Sequence, residues 1–535
     1  MGLESIATMS QTAAAGHLLE RAGWAARAFA DYSQRDVDKI VRAVADVAFV
    51  NARRFAEAAV AETTFGVVDH KVQKNEACSR GLVEAYSGSD FATPRIDTEA
   101  KIVEVPRPAG VVLAITPSTN PVASVYFKVL LALMTRNAVV VSPHPMAKRC
   151  CAEAAELLAD AAVAAGAPDG VIQVVAEPTI PLIESMMADE RTNLILATGG
   201  SGVVRAAYSS GNPAMGVGPG NVPVFVDHSA DLRAAARRIV ESKAFDNSVL
   251  CTNESVLIVE ESVSDGLIRE MKNIGAALLN AGETEQLRDY MFPDGQLNTA
   301  VVGKDAAVIA TGAGIRVGPR TKVLLAPFHV AVPDEPLTHE KLSPVLGLIT
   351  VRDRAQGIAT ARAIVRGVGA GHSASIHSAD PETIMTFTAK VPVLRVSVNV
   401  GNSTGSSGLD TNLPISMTIG TGFAGRSSLG ENLKPEHLVD IARIAYNSDP
   451  AEVMPSYANQ DPSREHPNPV PAYPVASNDP DAVAAHAVAQ VSKRLSASSA
   501  LSSLGSAGAG GADQGLVREE IRRLVAEELS QLIKG

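Results

Sequence analysis

The stretch "AGVVLAITPSTNPVASVYFKVLLALMTRNAVVVSPHP" (109–145) decides the fold class of this chain. Its first eight residues are a continuous apolar run, the pattern of a strand buried on both faces. "NPVASVYFKVLLALMTRN" follows as a helix, and "AVVVSPHP" is the next strand. The alternation continues with a helix over "MAKRCCAEAAELLADAAVAAGAP" (146–168), then "GVIQVV", "TIPLIESMMAD" and "NLILATGG". Strands apolar on both sides and separated by helices predict a parallel sheet covered on both faces. After Gly216 the pattern restarts with "NVPVFVD" (221–227), the helix "LRAAARRIVESKAF" and the strand "ESVLIVEE". It runs on through "TAVVG" (299–303), "KVLLAP", "PVLGLITV" and "ASIHS" to about residue 400. Two α/β layers are expected, the second opened by Cys251. Upstream, residues from about 10 to 90 read as helical, with apolar residues recurring at spacings of three and four.

The bulk numbers fit this reading. At 535 residues the chain is too long for one simple core. Apolar residues make up 46% and charged residues 20%, ordinary values for a soluble globular protein. The net charge is −11 and no long Lys/Arg cluster appears, which argues against nucleic acid or an anionic membrane as partner. No apolar stretch reaches the ~18–20 residues a membrane helix needs. Four cysteines in so long a chain are no disulfide framework, and no secretory signal opens the sequence. A reducing, cytoplasmic setting is expected.

Beyond Tyr446 the composition shifts. "DPAEVMPSYANQDPSREHPNPVPAYPVASNDP" is rich in proline and without periodicity, so a linker is expected over 448–512. A short helix is expected within it over 480–495, started by Asp479 and Pro480. In "GLVREEIRRLVAEELSQLIKG" the residues Val517, Ile521, Val525, Leu529 and Leu532 fall on one helical stripe, with Leu524 beside it. An amphipathic helix over 513–535, on a long tether, is suited to another protein's surface.

"FDNSVLCTNES" (245–255) sets Cys251 between a polar turn and a strand-like run. Cys78, Cys150 and Cys151 lie in helical, Ala-rich surroundings and read as inert packing residues. No cysteine pair has C-x-x-C spacing and no histidine cluster completes a metal site, so no metal is expected. Cys251 alone sits where a loop feeds a strand, a place suited to a nucleophile.

Together with this segment, "ITPSTNPVASVYFK" (115–128), "ATGGSGVVRAAYSSGNPAMGVGPGNVPVFVD" (197–227) and "HEKLSPVLGLITV" (339–351) resemble the aldehyde dehydrogenase superfamily. They resemble most its CoA-acylating branch, including the aldehyde dehydrogenase half of bifunctional aldehyde–alcohol dehydrogenases, over roughly residues 10–447. The resemblance implies two Rossmann-like parallel-sheet domains plus a small oligomerisation element. Residues 1–240 would hold the N-terminal helices and cofactor domain, 241–425 the catalytic domain, and 426–447 a return to the cofactor and oligomerisation region. No iron-dependent alcohol dehydrogenase half is expected in the remaining tail.

The same resemblance implies roles. Cys251 takes the place of the thiolate that attacks the aldehyde carbonyl. Thr119 and Asn120 fall where the superfamily has an oxyanion-holding amide, and either of the two neighbours fits. Such a donor is typically worth ~3 kcal/mol. Glu340 matches the carboxylate that grips the nicotinamide ribose. Thr116 and Pro117 match the first strand end, and Ser142 and His144 the adenine side. There Ser142 and Pro145 stand where NAD-preferring members often carry Lys and Glu, so NAD is expected with NADP open. Gly199, Gly200 and Ser201 match the loop and helix start that receive the pyrophosphate, and Gly218 joins the cofactor set.

One partner is missing. Hydrolytic members carry a glutamate that activates water, but Gly216 to Phe225 contains no carboxylate. Water without a base attacks poorly, whereas a thiol ionises more readily. CoA is the expected acceptor and acyl-CoA the product, unless a carboxylate from a distant segment stands beside the thioester. His372 matches a histidine of the acylating branch and reads either as a base or as a structural histidine at a strand start. A hydrolytic enzyme and a silent scaffold of the same fold are the rival readings. A homodimer or tetramer is expected. The closing helix resembles peptides that dock enzymes in the lumen of bacterial microcompartments, so a shell protein is the expected partner of 513–535.

Overall fold

Val111–Ile115 and Ala138–Ser142 are buried at every residue, as their unbroken apolar character requires. In a computed structural model, which describes residues 3–463 and Tyr473 and side chains from residue 15 onward, they lie at the heart of a five-stranded parallel sheet. Its order is Ile172–Val174, Ala138–Ser142, Val111–Ile115, Leu194–Thr198, Ala214–Val217. The chain runs outward from Val111–Ile115 in one direction and then returns to build the other side. The order therefore reverses between Val111–Ile115 and Leu194–Thr198, the crevice where doubly wound sheets bind ligands at their strands' carboxyl ends. Helix Pro121–Met134 is buried at all positions because it is apolar all round, with Pro121 pre-set for its first turn. The helices of residues 15–85 pack over it and over the sheet, with Phe29, Tyr32, Phe55 and Leu82 in the shared core.

The second sheet has seven parallel strands in the order Ala276–Leu278, Val323–Pro327, Val345–Val351, Glu254–Glu260, Val222–Val226, Ala374–His377, Val396–Val398. Val222–Val226 already belongs to it, so the sheets change between Val217 and Val222, ahead of the expected boundary at 240/241. Helix Leu232–Ala244 covers this sheet, its N-terminus capped by the Asp231 side chain on Ala234 N–H. "TAVVG" is not a strand. The Asn298 side chain accepts from Ala300 N–H and winds Thr299–Val301 into a 3-10 turn.

Val439–Ala445 returns to pair antiparallel with Ile102–Pro108, which also pairs with Arg95–Asp97. Ile96 and Ile444 are exposed on this small sheet. The chain divides into two units, Met1–Pro471 and Ala472–Gly535. The helices expected over 480–495 and 513–535 lie outside the described residues. No helix among those described is long and apolar enough to cross a membrane, and no cluster of three or more His, Cys, Asp or Glu there could hold a metal ion.

Candidate active site

The residues expected on the cofactor side, Glu340 apart, gather at the carboxyl ends of the five-stranded sheet. Thr116 N–H donates to Ser142 O at 3.0 Å, tying the ends of the first two strands together. The Thr116 hydroxyl is buried and has no hydrogen-bond partner within the protein. Gly199 and Gly200 lead from Leu194–Thr198 into helix Ser201–Ser209, whose first N–H groups are free for an anion. A side chain on Gly200 or Gly218 would meet no atom within 4 Å, so both border open space. These features fit a dinucleotide laid across the switch point. At the adenine side Ser142 is buried, while His144 is exposed and uses Nδ1 to accept from Met146 N–H at 3.2 Å.

The reactive side is assembled differently. Four successive strands of the second sheet begin at Val345, Glu254, Val222 and Ala374. The segments entering them carry Glu340 and Lys341, Cys251, Gly220, and His372. Topology thus brings these residues to the amino ends of neighbouring strands. Their contacts are close: Glu340 accepts from the Gly220 N–H, and a Cβ on Gly220 would collide with the Cys251 carbonyl oxygen and lie 3.2 Å from His372 Cε1. Cys251 is half-buried as a residue, unlike Cys78, Cys150 and Cys151, which are buried in packing positions.

Electrostatics set the resting state. Burial and then the neighbouring Glu340 charge push the Cys251 thiol up to about 12, against its own N–H, Arg395 and Lys74. Burial raises Glu340 to about 8, opposed by the Gly220 N–H and by Lys243 and Lys341. At pH 7 Glu340 is therefore mainly a neutral acid. Burial and then Arg395 push His372 down to about 3. Its Nδ1 lies 2.9 Å from Ser373 Oγ and its Nε2 has no partner. The histidine is not bonded through its ring to a backbone carbonyl. Burial and the Arg395 charge thus disfavour the protonated form of His372 in this state.

Several residues at the site escape sequence reading. Lys243 donates to Ser248 Oγ at 2.8 Å, and Lys341 donates to Ser255 O at 3.0 Å and His339 O at 2.7 Å. Arg395 is buried and donates to His372 O at 3.3 Å and to Gly420 O. Asp246 and the lysines of helix Val68–Glu76 form a further group. Lys71 Nζ lies 3.1 Å from Asp246 Oδ2 and 3.1 Å from Thr119 O. Lys74 Nζ contacts Asp246 Oδ2 and Asn120 Oδ1. The available signal was a pair of lysines one turn apart in "DHKVQKNE", on a face that would otherwise be buried.

A family model described as "Aldehyde dehydrogenase family" matches residues 4–410. The chain belongs to the aldehyde dehydrogenase family. Among curated relatives, the bifunctional aldehyde-alcohol dehydrogenase of Escherichia coli K12 is 38% identical over 437 residues, 80% of this chain and 49% of that protein. The chain thus spans about half the length of the first curated relatives it matches. The succinate-semialdehyde dehydrogenase (acetylating) of Clostridium kluyveri is 36% identical over 453 residues, 84% of this chain and 99% of that one. An acetylating aldehyde dehydrogenase from Geobacillus thermoglucosidasius superposes with a TM-score of 0.81 at 37% identity, covering 84% of this chain and 99% of that one. Two propionaldehyde dehydrogenases are also similar in structure. One comes from the fucose utilisation microcompartment of Clostridium phytofermentans (TM-score 0.74, 27% identity, 81% of this chain and 97% of that one). The other, from Rhodopseudomonas palustris, was solved with bound CoA and an acylated cysteine (TM-score 0.74, 26% identity, 81% and 97%). The two-sheet α/β architecture expected from the sequence is the fold these relatives share.

Proposed function

We propose that this enzyme oxidises a small aldehyde to an acyl-CoA through a thioester on Cys251. The observation that carries the reading is the half-buried Cys251 at the amino end of Glu254–Glu260, beside a Gly216–Phe225 segment without a carboxylate. Two relatives matched over 99% of their length are named as acetylating enzymes, which supports the same acceptor. A nicotinamide dinucleotide, held by Thr116, Pro117, Ser142, His144, Gly199, Gly200, Ser201, Gly218 and Glu340, supplies the hydride acceptor.

The chain's own residues do the rest. Cys251 Sγ loses its proton to solvent and adds to the aldehyde carbon, the carbonyl π pair moving onto oxygen to give a thiohemiacetal whose oxygen carries the developing negative charge. The Cys251 N–H and the side chains of Thr119 and Asn120 are the donors available to that oxygen. Loss of hydride from the same carbon leaves the thioester. Free CoA then enters, its thiolate adds to the carbonyl carbon, and Cys251 leaves as thiolate. The cycle is close to balance, so acyl-CoA reduction runs by the same steps in reverse.

Glu340 supports a second reading. It is a carboxylate from a distant segment that accepts from Gly220 N–H and acts electrostatically on Cys251. Its raised pKa leaves it largely protonated at neutral pH, which favours the thiol acceptor over water.

An assay of NADH formation across a panel of small aldehydes tests the proposal. NADH is expected to require CoA for sustained turnover and to vanish in Cys251→Ala. Undiminished turnover without CoA would establish the hydrolytic reading, and turnover in Cys251→Ala would remove the nucleophile. NAD is the proposed cofactor and NADP the alternative, since no carboxylate stands at the end of Ala138–Ser142 to reject a ribose phosphate. The exposed Ile96 and Ile444 edge supports a homodimer or tetramer formed through the small sheet. The tail over 513–535 supports cargo status in a microcompartment lumen, bound to a shell protein.

A further inference from the structure

Helix Val68–Glu76 holds no expected catalytic or cofactor residue, yet two of its lysines are buried within the site. Lys71 and Lys74 are 3% and 1% exposed, which for lysine requires strong partners. Both reach one carboxylate, Asp246, which also accepts from Val67 N–H at 2.7 Å, while Asp246 N–H donates to His70 Nδ1 at 2.9 Å. Each lysine also reaches the strand-end segment from the first sheet, Lys71 at Thr119 O and Lys74 at Asn120 Oδ1.

The turn they grip is strained. Asp246, Asn247 and Ser248 have φ of 50°, 50° and 66°, three successive non-glycine residues in the left-handed region. Cys251 follows three residues later. Such a turn persists only when its surroundings hold it, and Asn247 adds bonds to Gly303 O at 3.0 Å and Asp305 Oδ1 at 2.9 Å.

The Lys74 contact also decides how the Asn120 amide lies. An ammonium has donors only, so the Asn120 atom facing it is the carbonyl oxygen. The NH2 group is then turned away from Lys74, with one hydrogen on Thr119 Oγ1 at 3.2 Å and the other free. Without the ammonium nothing distinguishes the two ends of that amide.

We propose that Lys74 is a positioning residue: shared between Asn120 Oδ1 and the Asp246 carboxylate, it aims the Asn120 NH2 and locks it in register with the turn that carries Cys251. This rests on the thioester chemistry proposed above. It joins the donor from one sheet to the nucleophile from the other through a helix that touches neither reacting atom.

A double-mutant cycle in the full-length protein tests it. Asn120→Ala and Lys74→Met are each expected to lower kcat by about 100-fold, with KM for the dinucleotide within about twofold of wild type. The double variant is expected to lose no more than a few-fold beyond Asn120→Ala alone, because both changes remove the same aimed donor. Multiplying losses, or a Lys74→Met variant with wild-type kcat, would overturn the proposal. If Lys74→Met does not fold, Lys74→Arg keeps a cation on Asp246 and takes its place in the cycle with the same expected non-additivity. A wild-type chain that turns over no aldehyde would instead sink the functional reading. Alkylation of Cys251 by iodoacetamide against pH, with Cys251→Ser as blank, then decides for Lys74. The groups facing the thiol are Glu340, Arg395 and Lys74, and those facing Lys74 are Asp246, Lys71 and Cys78. A profile moved to higher pH in Lys74→Met supports the positioning, and an unmoved profile overturns it.

Discussion

Under the proposed chemistry, Glu340 is the residue on which the choice of acyl acceptor turns. Burial raises it to about 8, so its ionised fraction grows from about a tenth at pH 7 to about nine-tenths at pH 9. A carboxylic acid cannot take a proton from water, whereas the carboxylate formed above its pKa can. The thioester can be formed without cofactor from p-nitrophenyl acetate, and its breakdown to acetate followed by the second, slow phase of nitrophenol release. That phase is expected to accelerate up to ninefold between pH 7 and 9 in wild type and to stay flat in Glu340→Gln. A flat wild-type profile would show that Glu340 never serves water, leaving CoA as the sole efficient acceptor.

Among the elements, the loop entering Val222–Val226 leaves almost no room for a side chain. Gly220 lies so close to the Cys251 carbonyl that any side chain there must displace one loop or the other, and its N–H anchors Glu340. Displacing reacting groups by about 1 Å can cost about 100-fold in rate. Gly220→Ala is therefore expected to fold, with a cooperative thermal transition, yet to lose about 100-fold in kcat. Retained turnover would show that the Cys251 loop can shift without harm. The helix Leu232–Ala244 and strand Glu254–Glu260 bracketing the nucleophile were legible because each has an unbroken pattern of its own. The turn between them was not. Left-handed backbone at Asp246, Asn247 and Ser248 is held by contacts from residues about 170 positions upstream, which no local pattern encodes. Arg395 and Lys341 were missed for the same reason, since burial of a charge is decided by tertiary partners.

At the scale of the whole molecule, the residues expected to hold the cofactor lie, Glu340 apart, at the carboxyl ends of one sheet, and Cys251 lies at the amino ends of the other. The alternation of buried strands and helices made both sheets readable, and only "TAVVG" went astray, an apolar run too short to override a side-chain cap. The tail carries its own expectation. Fused to green fluorescent protein, residues 512–535 are expected to gather into puncta in cells with assembled shells, and diffuse fluorescence would remove the targeting reading. The site's resting electrostatics have one more consequence. Peroxide attacks thiolates and not thiols, and a sulfur that ionises only near 12 offers almost none. Burial thus leaves Cys251 at rest in the form that oxidants attack least.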